Sequence, residues 1–446
     1  MKPNLIFVFS DQHRAQATGF SGNKTVKTPN MDILYRESVN FTTAVSGCPV
    51  CCPYRAGLLT GQNPLTHGIF MNDVSLNPEA VTLAKLYKDA GYDTAYIGKW
   101  HIDGHGRSAF IPRERRQGFD YWRVLECTHD YNHSYYYGDE PEKKIWEGYD
   151  AAAQTDCAID YLKSRNKSEK PFILFLSWGP PHNPYQSAPQ EFCDLYRPED
   201  IPLRPNVPEE AKEQAKTDLA GYYAHVSALD FQLGKLMSAV KASGIEENTI
   251  FIYTSDHGDM LGSHGYTRKQ KPWDESILVP FLLRFPAQLG EQARTVDVPF
   301  CTQDILPTLL DFCDIPIPES AEGVSFADYI KGGKAPNIEA AVIESIQPFG
   351  EWPRAKNGTE YRGIRTKRYT YVRDLNGPWL LYDNEKDPYQ FENLIGKPEY
   401  APTEAHLDEL LQKMLKDRGD EFLPGEAYVK KWGYPTDETG TVPYTN

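Results

Sequence analysis

The sequence predicts a large α/β domain on a mostly parallel sheet, followed by a smaller α+β unit with an antiparallel sheet. Three observations carry this. Residues 5–9, 94–97, 172–176 and 250–253 are continuous apolar runs, the pattern of strands buried on both faces. Helix-like segments lie between them; the clearest covers residues 215–242, where Val226, Leu229, Leu233, Leu236, Met237 and Val240 form one apolar stripe. After about residue 335 the pattern changes, with short strands expected over 361–372 and 379–383 and a helix near 403–416.

The long helix ends at Ser243-Gly244, a suitable C-terminal cap. A chain of 446 residues exceeds the usual single domain, and the change of character divides it into 1–335 and 336–446. From about Leu423 onward the tail is polar and irregular, and no element is assigned to it.

The formal charge of -15 argues against general nucleic-acid binding, which is driven by neutralising phosphates with Lys and Arg. An anionic substrate remains possible if positive groups concentrate in a pocket. No apolar run reaches the roughly 20 residues of a membrane span. The chain runs from Met1-Lys2-Pro3 directly into a strand, so a cytoplasmic location is expected as written, or a periplasmic or secreted one if a leader was removed. The eight cysteines are scattered and imply no disulfide framework.

The most informative stretch is Cys51-Cys52-Pro53-Tyr54-Arg55, continued by Leu59-Thr60-Gly61. Proline suits the first position of a helix, because its missing N–H would be unpaired there anyway. Helix starts attract anions, so Cys51 would meet an anionic group. The alternative is a buried cysteine packing as a small hydrophobe.

Cys-x-Pro-x-Arg followed by Leu-Thr-Gly resembles the signature of the formylglycine-dependent (type I) sulfatases of the alkaline phosphatase superfamily. Cys48 and Cys52 lack the matching proline and arginine, and Tyr54 stands where the family often has a small residue. The resemblance implies that a formylglycine-generating or anaerobic maturase oxidises Cys51 to an aldehyde, whose hydrate is the nucleophile steadied by Arg55. Leu380-Leu381-Tyr382-Asp383, Asp387-Pro388 and Asn393-Leu394 resemble the family's tail motif, so the likeness covers nearly the whole chain. It implies an alkaline-phosphatase-like large domain, with a mixed, mostly parallel sheet flanked by helices, and a small C-terminal sheet.

Asp11-Gln12 and Asp256-His257 each follow a predicted strand. In open parallel sheets ligands bind at the carboxyl ends of strands, so the two pairs can converge. Singly, each aspartate would read as a cap. By resemblance Asp11, Gln12, Asp256 and His257 are metal ligands, completed by residue 51. Many sulfatases place Asp-Asp and Asp-Asn there. Calcium prefers hard oxygen ligands and imidazole is more usual for transition metals; the resemblance implies Ca²⁺, because some sulfatases carry Asp-His, with Mn²⁺ or Mg²⁺ as alternatives.

Gly98-Lys99-Trp100-His101 resembles a further family element, which implies that Lys99 neutralises a sulfate oxygen and that His101 bonds the nucleophile. His182, within Pro180-Pro181-His182-Asn183-Pro184, matches the histidine near the leaving oxygen. Lys269, four residues before Trp273, matches the second catalytic lysine, with Lys271 two residues away. From the residues alone a lysine defaults to the solvated surface; Lys99 escapes because it directly follows a buried strand.

The implied activity is hydrolysis of a sulfate ester on a small saccharide. His105, Arg107, Arg113, Arg115, Arg116, Trp122, His129, Asp130, His133 and Tyr135 to Tyr137 could recognise the sugar or form an ordinary surface loop. The Asp-Gln and Asp-His pairs also resemble phosphonate monoester hydrolases, which leaves a phosphonate monoester or phosphodiester hydrolase as one alternative. A non-catalytic binding protein with unmodified Cys51 is the other. Oligomeric state is open.

Overall fold

The computed structural model describes residues 2–165 and 170–444. Strand β1 (Asn4–Asp11) lies inside an eight-stranded sheet. Successive side chains of a strand point to opposite faces. Leu5, Phe7 and Phe9 therefore enter the core on one face, while Ile6 and Val8 enter it on the other. Both faces are covered, so the segment shows no polar alternation.

The remaining strands are β2 (Val39–Phe41), β3 (Asp93–Lys99), β4 (Tyr121–Leu125), β5 (Phe172–Pro181), β6 (Thr249–Ser255), β7 (Phe281–Arg284) and β8 (Arg294–Val296). Their order is β8-β2-β7-β6-β1-β5-β3-β4. β7 runs against both neighbours and the other pairings are parallel. The sheet is thus mixed and mostly parallel.

The long helix spans Lys212–Ala242. It packs Leu229, Leu233, Leu236 and Val240 on the Ile6 and Val8 face. Each such side chain, fully buried, stabilises the fold by about 1.5–3 kcal/mol. A shorter helix, Cys51–Thr60, has all its residues buried. The structure corrects its expected start: Cys51 is the first helical residue after extended Val50, and Pro53 is the third. Proline fits there because the first four N–H groups of a helix have no intrahelical partner. Cys51 itself therefore stands at the helix N-terminus.

β9 (Ala340–Ser345), β10 (Tyr361–Thr366), β11 (Tyr369–Asp374) and β12 (Gly377–Asp383) form an antiparallel sheet in sequence order. β9 was not expected from the sequence. Ala341 and Ile343 pack toward Trp273 and Trp352, whereas Ala340 and Val342 pack toward the helix Ala401–Asp417 through Leu407 and Leu411.

The tail also departs from expectation. It forms a helix, Gly425–Trp432, whose Tyr428 and Val429 join the main core. Beyond it the Tyr434 hydroxyl donates to the Gly68 carbonyl at 2.7 Å. Short helices are marginal alone and gain stability from tertiary burial, so two apolar anchors gave little sequence signal.

Candidate active site

Strand register brings distant segments to one edge. Ser10 pairs with Ser255, so Asp11 and Asp256 leave neighbouring parallel strands side by side. Phe9 and Gly98 both pair with Ser177, which sets the ends of β1 and β3 on either side of β5. Gly98 has φ +105°, and a Cβ there would lie 2.0 Å from the Ser177 carbonyl oxygen. Only glycine lets β3 deliver Lys99 this close. A Cβ on Gly258 would likewise lie 2.0 Å from the Glu275 carbonyl oxygen, so glycine lets the chain after His257 pack against that segment.

The Cys51 thiol, 1% exposed, lies at the convergence point. Its Sγ is 3.2 Å from Lys269 Nζ, 3.3 Å from His257 Nε2, 3.7 Å from Asp11 Oδ1 and 3.9 Å from Lys99 Nζ. Burial and the Asp11 charge would raise its pKa, but Lys269, Lys99 and His257 outweigh them and hold the thiol well below its ordinary range. Lys99 donates to Asp11 Oδ2 at 2.7 Å. Burial opposes charge on Lys99, yet the Asp11 carboxylate lifts its pKa well above the usual lysine value.

Arg55 is buried between the carboxylates, donating to Oδ2 of Asp11 at 3.3 Å and Oδ2 of Asp256 at 3.2 Å. It also donates to the Lys99 carbonyl and the Ser177 hydroxyl at 2.8 and 2.9 Å. The Oδ1 atoms of both aspartates face His257 Nε2, at 3.6 and 3.5 Å.

Ligand atoms of Asp11, Cys51, Asp256 and His257 all lie within 4.8 Å of one another. His257 Nδ1 is 3.0 Å from the Gly258 carbonyl. That contact holds a proton on Nδ1 and turns Nε2 toward the cluster. Gln12 supplies a further sign: its Oε1 is buried and without a hydrogen-bond partner, while its Nε2 donates to Asp259 at 2.6 Å. Two carboxylates, an orphaned amide oxygen and an oriented imidazole fit a divalent cation.

A cavity of about 380 Å³ opens onto this cluster, lined by Cys51, Lys99, His101, His182 and Lys269, and farther out by Asp73, Arg107, His129, Glu351, Thr441 and Tyr444. Lys269 Nζ is 2.9 Å from His182 Nε2. An ammonium only donates, so Nε2 accepts and Nδ1–H donates to the Asn183 carbonyl at 3.0 Å. Burial, then the Lys269 charge, pushes the His182 pKa down and keeps the ring neutral. His129 stacks on it at 4.5 Å. His101 lines the wall, its Nε2 facing the Asp73 carboxylate at 3.5 Å. Gln12, Asp73, His101 and Gln270 all have positive φ, between 60° and 74°. Such strain costs on the order of 1–3 kcal/mol per residue and clusters where the surroundings enforce it.

Of the predicted site residues, Cys51, Lys99, His101, His182 and Lys269 line the cavity, while Asp11, Arg55, Asp256 and His257 form the buried cluster at Cys51, and the Gln12 backbone N–H joins it through Asp256. Lys271 points away and donates to the Thr267 carbonyl at 2.8 Å. Of the residues expected to recognise a sugar, Arg107 and His129 line the cavity. Trp122 is core, Arg113 and Arg115 pair with Asp120 and Asp103, and Asp130 and His133 pair in solvent.

Sequence reasoning missed Asp73, which holds Arg107 through two bonds of 2.9 and 2.8 Å, and Tyr444, whose ring lies 3.4 Å below the Arg107 guanidinium. It also missed Ser177 and Asp259. Asp259 was legible from its place two residues after His257; nothing in the tail marked Tyr444.

The chain matches the sulfatase family model over residues 3–315. It also matches a model described as the C-terminal region of N-sulphoglucosamine sulphohydrolase over residues 262–417. It is 46% identical to an ulvan-active sulfatase of Formosa agariphila over 437 residues, covering 97% of this chain and 85% of that protein. It is 31% identical to an endo-4-O-sulfatase of Bacteroides thetaiotaomicron, covering 88% of each. A solved structure described as a complex with its substrate D-glucosamine-2-N,6-O-disulfate aligns with a TM-score of 0.85 at 25% identity, covering 96% of this chain and 100% of that one. The fold is the alkaline-phosphatase-like one expected from the sequence.

Proposed function

The chain belongs to the sulfatase family and is a sulfuric ester hydrolase, and from that premise we propose that it removes sulfate from a carbohydrate, using an aldehyde made from Cys51 and a divalent cation. The observation that carries this reading is the convergence of Lys269, Lys99, His257 and Asp11 on Cys51 Sγ. That sulfur stands in for the oxygens of the hydrated aldehyde. Once formed, the hydrate supplies a nucleophilic hydroxyl and a second hydroxyl that a plain cysteine or serine lacks.

Asp11, Gln12, Asp256, His257 and residue 51 would hold the cation, taken as Ca²⁺ with Mn²⁺ or Mg²⁺ as alternatives. When bound, it polarises sulfate oxygens and acidifies a hydroxyl. Lys99 and Lys269 neutralise the remaining sulfate charge in a water-poor site, where such groups act most strongly. Arg55 fixes both aspartates. Lys269 and His182, in mutual contact, deliver the proton that the departing alkoxide needs. His101, whose Nε2 faces Asp73 Oδ1 at 3.5 Å on the cavity wall, is assigned the proton of the second hydroxyl.

The outer cavity supports a sugar as the leaving group. Asn72, Asn183, Glu351 and Thr441 offer hydrogen bonds to hydroxyls, and Arg107, His129 and Tyr444 add cationic and aromatic surface. The ulvan-active and endo-4-O-sulfatase relatives point the same way. The proposal keeps 1–335 as the catalytic domain and 336–446 as a subdomain that completes the cavity wall, and it requires a maturase acting on Cys51.

Two measurements test it together. Peptide mass spectrometry of protein from its native host should show the mass loss of thiol-to-aldehyde conversion at Cys51. Initial rates on sulfated mono- and disaccharides should exceed those on matched phosphonate monoesters. An unconverted Cys51 would favour the non-catalytic binder, and a clear preference for the phosphonate would make the chain a phosphonate hydrolase on this scaffold.

A further inference from the structure

The side chain of Gln12 presents a physical problem that the sequence conceals. A carboxylate offers oxygen to a cation whichever way it rotates. An amide does not, because a half-turn replaces the acceptor oxygen with an NH₂ donor of nearly the same shape. A glutamine among metal ligands needs something to hold it the right way round.

The structure contains such a device. Gln12 Nε2 donates to Asp259 Oδ2 at 2.6 Å and faces the Tyr185 hydroxyl at 3.5 Å. Tyr185 itself donates to the same Asp259 oxygen. The other oxygen, Oδ1, accepts from the backbone N–H groups of Leu261 and Arg268 at 3.0 and 2.9 Å. Asp259 is thus a buried acceptor facing four donors, and nothing it presents could pair with an amide oxygen. A flipped Gln12 would set Oε1 against Oδ2 and aim NH₂ at the cation. With Nε2 held, Oε1 points elsewhere and has no partner in the protein.

The main chain is pinned as well. Gln12 has φ +72°, its N–H donates to Asp256 Oδ1 at 3.0 Å, and its carbonyl accepts from the Tyr222 hydroxyl at 2.7 Å. Side chain and backbone are therefore both fixed before any ion arrives.

We propose that Asp259, supported by Tyr185, is a positioning residue that selects the metal-binding rotamer of Gln12. It touches neither substrate nor cation. This rests on the reading of Gln12 as a ligand, and the experiment separates the two. Affinity for Mn²⁺ and for Ca²⁺ is measured by calorimetry on EDTA-stripped protein with Cys51 unmodified, alongside thermal denaturation of the same metal-free samples. Five proteins are compared: wild type, Gln12→Ala, Asp259→Asn, Tyr185→Phe and the double variant Gln12→Ala/Asp259→Asn.

Outer partners of metal ligands typically change affinity by about 10–100-fold. Asp259→Asn should weaken binding in that range, and Gln12→Ala at least as much. Tyr185→Phe should act in the same direction and less, because the carboxylate stays. In the double variant Gln12→Ala/Asp259→Asn the second change should add little to the first. Asp259 acting only on folding would lower the metal-free melting temperature and leave the dissociation constant alone, which overturns the proposal. Unchanged affinity in Gln12→Ala would instead overturn the ligand reading. Asp259→Asn weakening binding equally in the wild-type and Gln12→Ala backgrounds would show that it acts by another route, which also overturns the proposal.

Discussion

Replacing Arg55 by alanine tests the electrostatics of the site most directly. In the folded protein its guanidinium is the shared counter-ion of Asp11 and Asp256, both 0% exposed, and it donates to the Lys99 carbonyl and the Ser177 hydroxyl as well. Removing one partner of a buried ion pair costs about 3–5 kcal/mol, because the charge left behind has neither water nor counter-ion. Lys99 still pairs with Asp11 at 2.7 Å. The unrelieved charge is therefore chiefly that of Asp256, and the lower half of that range applies in metal-free protein. A divalent cation bound by the two aspartates would replace the missing positive charge, so the deficit should shrink when metal is added, since a ligand that binds only the folded state stabilises it. The assay is urea denaturation of wild type and Arg55→Ala in EDTA and in saturating Ca²⁺, with turnover measured in parallel. Turnover should be lost in both conditions. A variant as stable as wild type in EDTA, or one whose deficit is unchanged by Ca²⁺, would contradict the shared counter-ion role of Arg55.

The two neighbouring lysines should separate cleanly: Lys269→Ala should reduce kcat by about 10²–10³, as loss of one charge-stabilising donor does, whereas Lys271→Ala should change it little in the same kinetic assay. Tyr444→Ala removes the ring under Arg107; KM for saccharide sulfates should rise with kcat nearly kept, while kinetics on a small aryl sulfate stay unchanged. Asp304 gives a pH effect outside the metal cluster. Burial raises its pKa to about 7, despite N–H bonds from Val324 and Cys301. The folded state therefore binds more protons than the unfolded one between about pH 4 and 7. The contribution is fully present below pH 4 and lost as pH rises to about 7, so wild type should lose on the order of 1 kcal/mol per pH unit relative to Asp304→Asn. Denaturation midpoints across that window check it, and a flat difference would contradict it.

Elements whose chemistry is local were legible in the amino-acid order alone. The apolar run of β1 admitted one reading because both its faces are covered, and the Cys51-to-Arg55 spacing put a thiol at the start of a helix. That order also named the ten candidate site residues, partly through motifs carried by resemblance. Which lysine faces the thiol is settled by packing, because Lys269 and Lys271 are alike in type and two residues apart, and loop conformation alone turns one inward. Tertiary packing likewise decided that Trp122 is core and not a sugar platform, and that β9 is a strand, since alanines declare themselves only through what packs on them. The tail had to fold back before Tyr444 could meet Arg107. Local pattern reports what a segment can form with its neighbours in sequence. The direction of a loop side chain, the rotamer of Gln12 and the far wall of the cavity depend on contacts between segments hundreds of residues apart, which no window along the chain contains.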